Sequence, residues 1–214
     1  MGFLEVNQNL WNGFQNTLLI FTLTLVFSLP LGLLISFGSM SRFALLRYPI
    51  NVLIWIVRGT PLMLQVMVIF YVPGFLFDAP IATRFNSVII AFAINYSCYF
   101  SEIYRGGIQS ISRSQYEAGQ VLGMTRAQIF FRVILLQVIK RIIPPMSNEI
   151  ITLVKDTALA RIIVVVELLK EAEILATRGM VWPIFYTGAY YLAFVGILTL
   201  LFNYAEKRLN YFKA

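Results

Sequence analysis

The sequence predicts an all-α integral membrane protein with about five transmembrane helices. Three observations carry this. Of 214 residues, 59% are apolar and the mean hydropathy is +0.77. Several runs approach or exceed the roughly 20 apolar residues that cross about 30 Å of hydrocarbon. The charges, 17 Lys+Arg and 10 Asp+Glu, are too few to form a soluble skin over so many apolar residues, so the bilayer must supply the missing burial. The absence of histidine and the single Cys98 exclude His-dependent triads, His-ligated metals, internal disulfides and a Cys-x-x-Cys pair. The net charge of +7 is scattered rather than gathered into a basic stripe with aromatics, so no nucleic acid is expected.

The first span, 14–37, is uncharged and contains Pro30; it lies too far from the start, without a basic flank, to be a cleaved signal peptide. Residues 43–57 are apolar but carry Arg47 and Pro49, and lead into Arg58-Gly59-Thr60-Pro61. Thr60 is expected to cap a second span, which begins at Pro61 and runs to about residue 72. The stretch before it reads as an amphipathic or re-entrant lead-in, or else as part of one long kinked helix from Pro49. The third span, 87–104, holds Asn95, Ser97, Cys98, Ser101 and Glu102, which a lipid-facing helix would not carry. A fourth helical pattern, 126–155, is expected to break at Pro144-Pro145, where two N–H groups are missing. The fifth span, 182–204, is uncharged. Neither repeats nor a low-complexity linker divide the chain, so 14–205 reads as one membrane domain.

Basic residues set the orientation. Arg42 and Arg47, then Arg105, Arg113, Arg126 and Arg132, then Lys207, Arg208 and Lys213 fall on one side, which should be the cytoplasm. The other side has no base in residues 1–13 and only Arg84 between the second and third spans. In 155–181, Lys155, Arg161, Lys170 and Arg178 are matched by Asp156, Glu167, Glu171 and Glu173. The expected topology is N-terminus outside and C-terminus cytoplasmic.

The cytoplasmic loop 110–128 is the most informative segment. Ser114 with Glu117, and Thr125 with Gln128, each match the S/T-x-x-E/Q capping box. Gly123 between them suits the left-handed residue that ends a helix. The pattern predicts a short helix, a sharp turn and a second helix, making a rigid knob; the simpler reading is an ordinary well-capped loop.

Tyr116-Glu117-Ala118-Gly119, with Gly123 six residues after the Glu and Val133-Ile134-Leu135 beyond, resembles the E-A-A-x3-G loop of ABC importer permeases. Arg58-Gly59-Thr60-Pro61-Leu62, the Glu102 to Gln109 segment, Pro144-Pro145 and Lys155-Asp156-Thr157 are similar to the polar amino acid permease subfamily, in that family's order over nearly the whole chain. The resemblance implies a type I importer transmembrane domain in the cytoplasmic membrane of a prokaryote. Its coupling helix, carrying Tyr116, Glu117, Ala118, Gly119 and Gly123, would dock on an ATPase. It also implies two ATPase subunits that bind ATP and Mg, a second permease subunit, an extracytoplasmic solute-binding protein and an amino acid substrate. No cofactor is expected on this chain. It is not expected to be an enzyme, since no G-x-x-x-x-G-K-[ST] loop occurs. Two departures stand out: Gly119 replaces the family's usual Ala, which would loosen the helix by about 1 kcal/mol, and Leu136 stands where a Pro is usual.

Asn95, Ser97, Asn148, Glu149 and Thr152 are the substrate-pathway candidates. Asn148 and Thr152 are four apart beside Glu149, whose carboxylate suits a substrate cation; the simpler reading pairs Glu149 with Lys140, Arg141 or Lys155. Arg58 is expected to snorkel to headgroups, and Glu102 to pair locally with Arg105 at about 0.2–0.5 kcal/mol; both are assigned to the scaffold. Lys155, Asp156 and Thr157 read as a gate region, or as a charged helix end in which Asp156 or Thr157 caps the next helix. Phe185, Tyr186, Tyr190 and Tyr191 read as lipid or interface packing. The expected function is import of a polar amino acid, driven by the partner ATPase. The rival is a stand-alone ion-coupled carrier using Glu102 and Glu149, but paired broken helices in inverted repeats are not evident.

Overall fold

The computed structural model describes residues 2–77 and 82–209, and among them every regular element is helical. Lys213 lies outside the described residues. Helix α1 (Phe3–Ser39) contains Pro30 without a break and is about 55 Å long, well beyond the hydrocarbon thickness. Its buried side is a stripe of small residues, among them Gly13, Thr17, Thr24, Ser28, Gly32 and Ser36, which lets backbones approach closely. A Cβ on Gly32 would sit 2.9 Å from the Phe100 Cβ and 3.0 Å from the Ser97 carbonyl oxygen, both on α4 (Arg84–Gln109).

The lead-in to the second span is a separate helix, α2 (Ala44–Gly59), and α3 (Leu62–Phe77) leaves it at 106°. Thr60 does not cap α3. Its hydroxyl donates backward to the Ile56 carbonyl at 2.9 Å, because the last carbonyls of α2 are the orphaned groups within its reach. Gln65 finishes the bend: its amide donates to the Val57 carbonyl at 2.8 Å and accepts from Asn95 of α4 at 3.0 Å.

After α4 come α5 (Arg113–Val121), α6 (Arg126–Ile129), a π-helical turn over Phe130–Ile134, and α7 (Leu135–Asp156). Pro144-Pro145 do not interrupt α7. Membrane helices tolerate such residues more readily than soluble ones do. The irregular winding falls earlier, at the π turn. Neither Asp156 nor Thr157 caps the helix that follows with its side chain. The chain tightens into a 3-10 helix, Thr157–Ile163, with the Thr157 hydroxyl donating back to the Val154 carbonyl at 2.7 Å. The next cap is Glu167, fully buried at the start of α8 (Leu168–Thr177), whose oxygens accept the Leu169 and Lys170 N–H groups at 2.8 and 2.7 Å.

The last helix, α9 (Trp182–Leu209), closes on α1. Tyr191 donates to Glu167 at 3.3 Å and Tyr190 to Asn7 at 3.0 Å, so these two tyrosines bind helices together rather than face lipid; Phe185 remains exposed. Val6 and Leu10 pack on Leu168, Ala172 and Leu175, and Phe3 stacks on Trp182 at 5.6 Å. The chain start, α8 and the start of α9 therefore share one end of the molecule. Helices α1 and α9 are each long and apolar enough to cross a membrane, and the bent pair α2–α3 passes as a third candidate by composition. Helices α4 and α7, 26 and 22 residues, are long enough but carry polar groups turned toward other helices, which completes about five crossings.

Two measurements test this packing. Gly32→Leu should destabilise the protein by about 1–3 kcal/mol through overpacking against α4, whereas Gly196→Leu, with nothing within 4 Å of an added Cβ, should be neutral; thermal unfolding in detergent compares the two. Burial pushes the Glu167 carboxyl above the usual carboxylate range, opposed by the Leu169 and Lys170 N–H groups, the Tyr191 hydroxyl and Arg161. A raised folded-state pKa means that Glu167's contribution is full below its unfolded pKa and is lost as pH rises through the folded value. The unfolding midpoint should fall across that window, and Glu167→Gln should flatten the fall; an unchanged slope refutes this.

Candidate functional site

Two polar features stand out from the apolar body. The first is the knob formed by α5 and α6. Its helix starts at Arg113, so Ser112 rather than Ser114 is the cap, accepting the Ser114 N–H at 3.2 Å. Ser114 then lies inside the first turn, and the box with Glu117 does not form. The second box does form: Thr125 N–H donates to Gln128 Oε1 at 2.8 Å, and Gln128 N–H to Thr125 Oγ1 at 3.3 Å. Between them Gly123 has φ +73°. The Gly123 N–H donates to the Gln120 carbonyl at 2.9 Å and the Met124 N–H to the Gly119 carbonyl at 3.0 Å, the bond pair of a Schellman C-cap.

Gly119 has a packing role beside its propensity cost. An added Cβ would lie 2.6 Å from Ile129 Cγ1, so glycine is what allows α5 to rest on α6. Ile111, Ile129, Ile134 and Val138, with Tyr116 against them, give the knob its own core. Gln115 and Gln137 exchange amide hydrogen bonds at 3.0 and 2.6 Å, and the Arg141 guanidinium donates to the Ser110 carbonyl at the end of α4. The outward side presents Glu117 and Ala118, with Val121 87% and Leu122 79% exposed.

The second feature is a polar strip between α2, α4 and α7. Tyr96, Tyr99, Glu102 and Arg105 recur every three residues on α4, so each neighbours the next and the row winds gradually around the helix from the buried Tyr96 to the partly exposed Arg105. The Tyr96 hydroxyl donates to Asp156 Oδ2 at 2.7 Å. Arg58 lies over the Tyr99 ring, 5.0 Å from its centre, and meets Glu102 at 3.6 Å, so its partly exposed side chain turns toward α4. Arg105 grips Glu102 with two bonds, 2.9 and 2.5 Å. Glu149, half-buried, feels Asp156 along its own helix and Arg58 across from it. Thr152 donates to the Asn148 carbonyl at 3.0 Å, and Asn148 and Lys155 are exposed.

The strip thus gathers Arg58, Glu102, Glu149 and Asp156, with Asn148 and Thr152 beside Glu149. Asn95 and Ser97 belong to the interior instead. Asn95 is buried on Gln65, and the buried Ser97 donates to the Ile94 carbonyl at 2.8 Å beside Gly32. Tyr96 and Tyr99 join the candidate strip, and Gln65 supports it through Asn95, though sequence reasoning singled out none of the three; for the tyrosines the available signal was their spacing of three from each other and from Glu102 on α4. Among the described residues no three His, Cys, Asp or Glu side chains converge as a metal site.

Residues 28–211 match the family of binding-protein-dependent transport system inner membrane components. The chain is 37% identical to the L-cystine transport system permease protein TcyB of Bacillus subtilis, over 98% of this chain and 92% of that protein. It is 33% identical to the octopine transport system permease protein OccM of Rhizobium radiobacter, over 85% and 79%. Among solved structures, a chain of an amino acid ABC transporter crystallised with histidines superposes with a TM-score of 0.87 at 30% identity, covering 97% of this chain and 99% of that one. A chain of the MetNI methionine ABC transporter matches in fold, with a TM-score of 0.70 at 16% identity. The architecture is that of a type I ABC importer transmembrane domain.

Proposed function

The chain belongs to the family of binding-protein-dependent transport system inner membrane components, and from that membership we propose that it is the permease subunit of an ATP-driven importer. It moves a polar or charged amino acid across the cytoplasmic membrane by alternating access. The observation that carries this reading is the knob: a capped helix with its own core, tied to α4 and α7 and exposing Val121 and Leu122. Such a helix transmits force from a partner, and a stand-alone carrier has no use for it. Two ATPase subunits bind ATP and Mg and dock on the coupling helix that carries Tyr116, Glu117, Ala118, Gly119 and Gly123, all within the 110–128 loop of the single domain 14–205, with Glu117 and Ala118 on its exposed side and Tyr116 and Gly119 seating it on the knob core. This chain hydrolyses nothing and binds no cofactor.

A second permease subunit, the same chain or a paralogue, completes the pathway, and an extracytoplasmic solute-binding protein delivers substrate to the end formed by α8 and the N-terminus. The N-terminus lies outside and the C-terminus in the cytoplasm. Closure of the ATPases on ATP biases a two-state permease through α5. Asn148, Glu149 and Thr152 line the pathway, Asn95 and Ser97 support it from within the bundle, and Lys155 and Asp156 belong to the gate region. Cystine and octopine, in the names of the relatives, are both polar amino acid derivatives, in keeping with this substrate class.

Gly123→Val puts a β-branched residue at φ +73° and should strain the turn by about 1–2 kcal/mol. It is expected to uncouple ATP hydrolysis from uptake without impairing membrane insertion, while Gly123→Asn, which tolerates this conformation, largely preserves coupling. Full transport by the Val variant in proteoliposomes would count against the mechanism. Glu149→Gln should reduce uptake of lysine and arginine relative to glutamine by about tenfold, the equivalent of 1.4 kcal/mol; unchanged selectivity would remove Glu149 from substrate recognition.

A further inference from the structure

A cleft of about 570 Å³ opens between α2 and α4, with Trp55, Arg58, Tyr99, Glu102 and Arg105 in its wall. It holds two guanidiniums and one carboxylate, an excess of one positive charge. The three charges are not equivalent. Arg105 occupies both oxygens of Glu102 at 2.9 and 2.5 Å and adds a bond to Gln109 at 3.2 Å. Arg58 reaches the same carboxylate only at 3.6 Å, outside hydrogen-bonding distance, and among the described residues it makes no hydrogen bond. Its side chain is 42% exposed, and the Tyr99 ring supports it from below. The cleft thus carries one guanidinium that Tyr99 orients and Glu102 pairs only loosely, with no hydrogen bond made among the described residues.

We propose that this cleft is a binding station for the zwitterionic part of the transported amino acid, in which Arg58 takes the substrate α-carboxylate while Arg105 keeps Glu102 in place as the standing counter-charge. The planar guanidinium fork matches a carboxylate in a bidentate arrangement, which a lysine ammonium cannot reproduce. An α-carboxylate is common to all α-amino acids, so Arg58 recognises the class, whereas Glu149 is suited to read a side chain. Glu102 and Arg105 are positioning residues. This proposal rests on the importer reading above.

The test uses the permease–ATPase complex in nanodiscs without the solute-binding protein, titrated calorimetrically with L-glutamine, L-arginine and their α-amides. The free acids should bind at least about tenfold more tightly than the amides. Arg58→Gln should bring that ratio close to one, Arg58→Lys should retain part of it, and Glu149→Gln should leave it intact. A merely structural role for Arg58 would weaken acid and amide alike and preserve the ratio, which would overturn the proposal. So would a wild-type complex that does not distinguish acid from amide or shows no binding up to about 10 mM. A signal that tracks the phosphatidylglycerol content of the nanodisc would assign the cleft to a lipid headgroup, and would also overturn it. If Arg58→Gln fails to assemble, the wild-type ratio and the Lys variant still decide. Uptake by the complete reconstituted system separates the two readings: uptake without acid–amide discrimination refutes only the Arg58 station, whereas no uptake of any amino acid in a broad panel refutes the importer reading.

Discussion

A polar side chain carried into a bilayer has to be answered from within the protein, because lipid offers it no partner. Helix α4 is organised by that constraint. On one side Asn95 meets Gln65 of α3, and on another Tyr96 meets Asp156 at the end of α7. Further along, Glu102 meets Arg58 of α2 and Arg105 of its own helix. These pairings fix the rotation of α4. A close approach to α1 at Gly32 engages Ser97 and Phe100. Rotating α4 would expose its charges to lipid and drive its bulk into α1 at the same time.

The same constraint explains the bend between α2 and α3. A chain that turns through 106° leaves the last carbonyls of α2 without helical partners. Gln65 and the Thr60 hydroxyl supply donors there, and the Gln65 amide oxygen passes the connection on to α4. The bend, the orientation of α4 and the direction of Arg58 are consequences of one small network. Beyond the C-terminal end of α7, the buried Glu167 performs the equivalent task by capping α8 and accepting from Tyr191 of α9.

The knob and the strip share their supports. Arg141 of α7 holds the end of α4, and Gln137 of α7 holds Gln115 of α5. Helices α4 and α7 are also the two that carry Tyr96, Glu102, Glu149 and Asp156. A displacement of α5 therefore acts directly on both walls of the strip, through hydrogen bonds and the Ile129 and Val138 core rather than through a flexible tether. Continuity of this kind is the physical requirement for coupling between distant sites.

The amino-acid sequence determined by itself those features that depend on neighbours in the chain. The uncharged runs located α1 and α9, Thr125 and Gln128 located a helix start, and Gly123 located a left-handed turn, because hydropathy and caps act over a few residues. The same locality misled at Ser114, where Ser112 offered an equally good cap two residues earlier. It misled again at Pro144-Pro145, through which α7 continues. The tertiary structure alone decided what Arg58 faces, which residue caps α8, and why Gly119 and Gly32 are glycines. Those answers come from side chains that meet across helices, as Tyr96 and Asp156 do from 60 positions apart. A linear pattern reveals which groups need a partner inside the membrane, but only the packed bundle selects the partner.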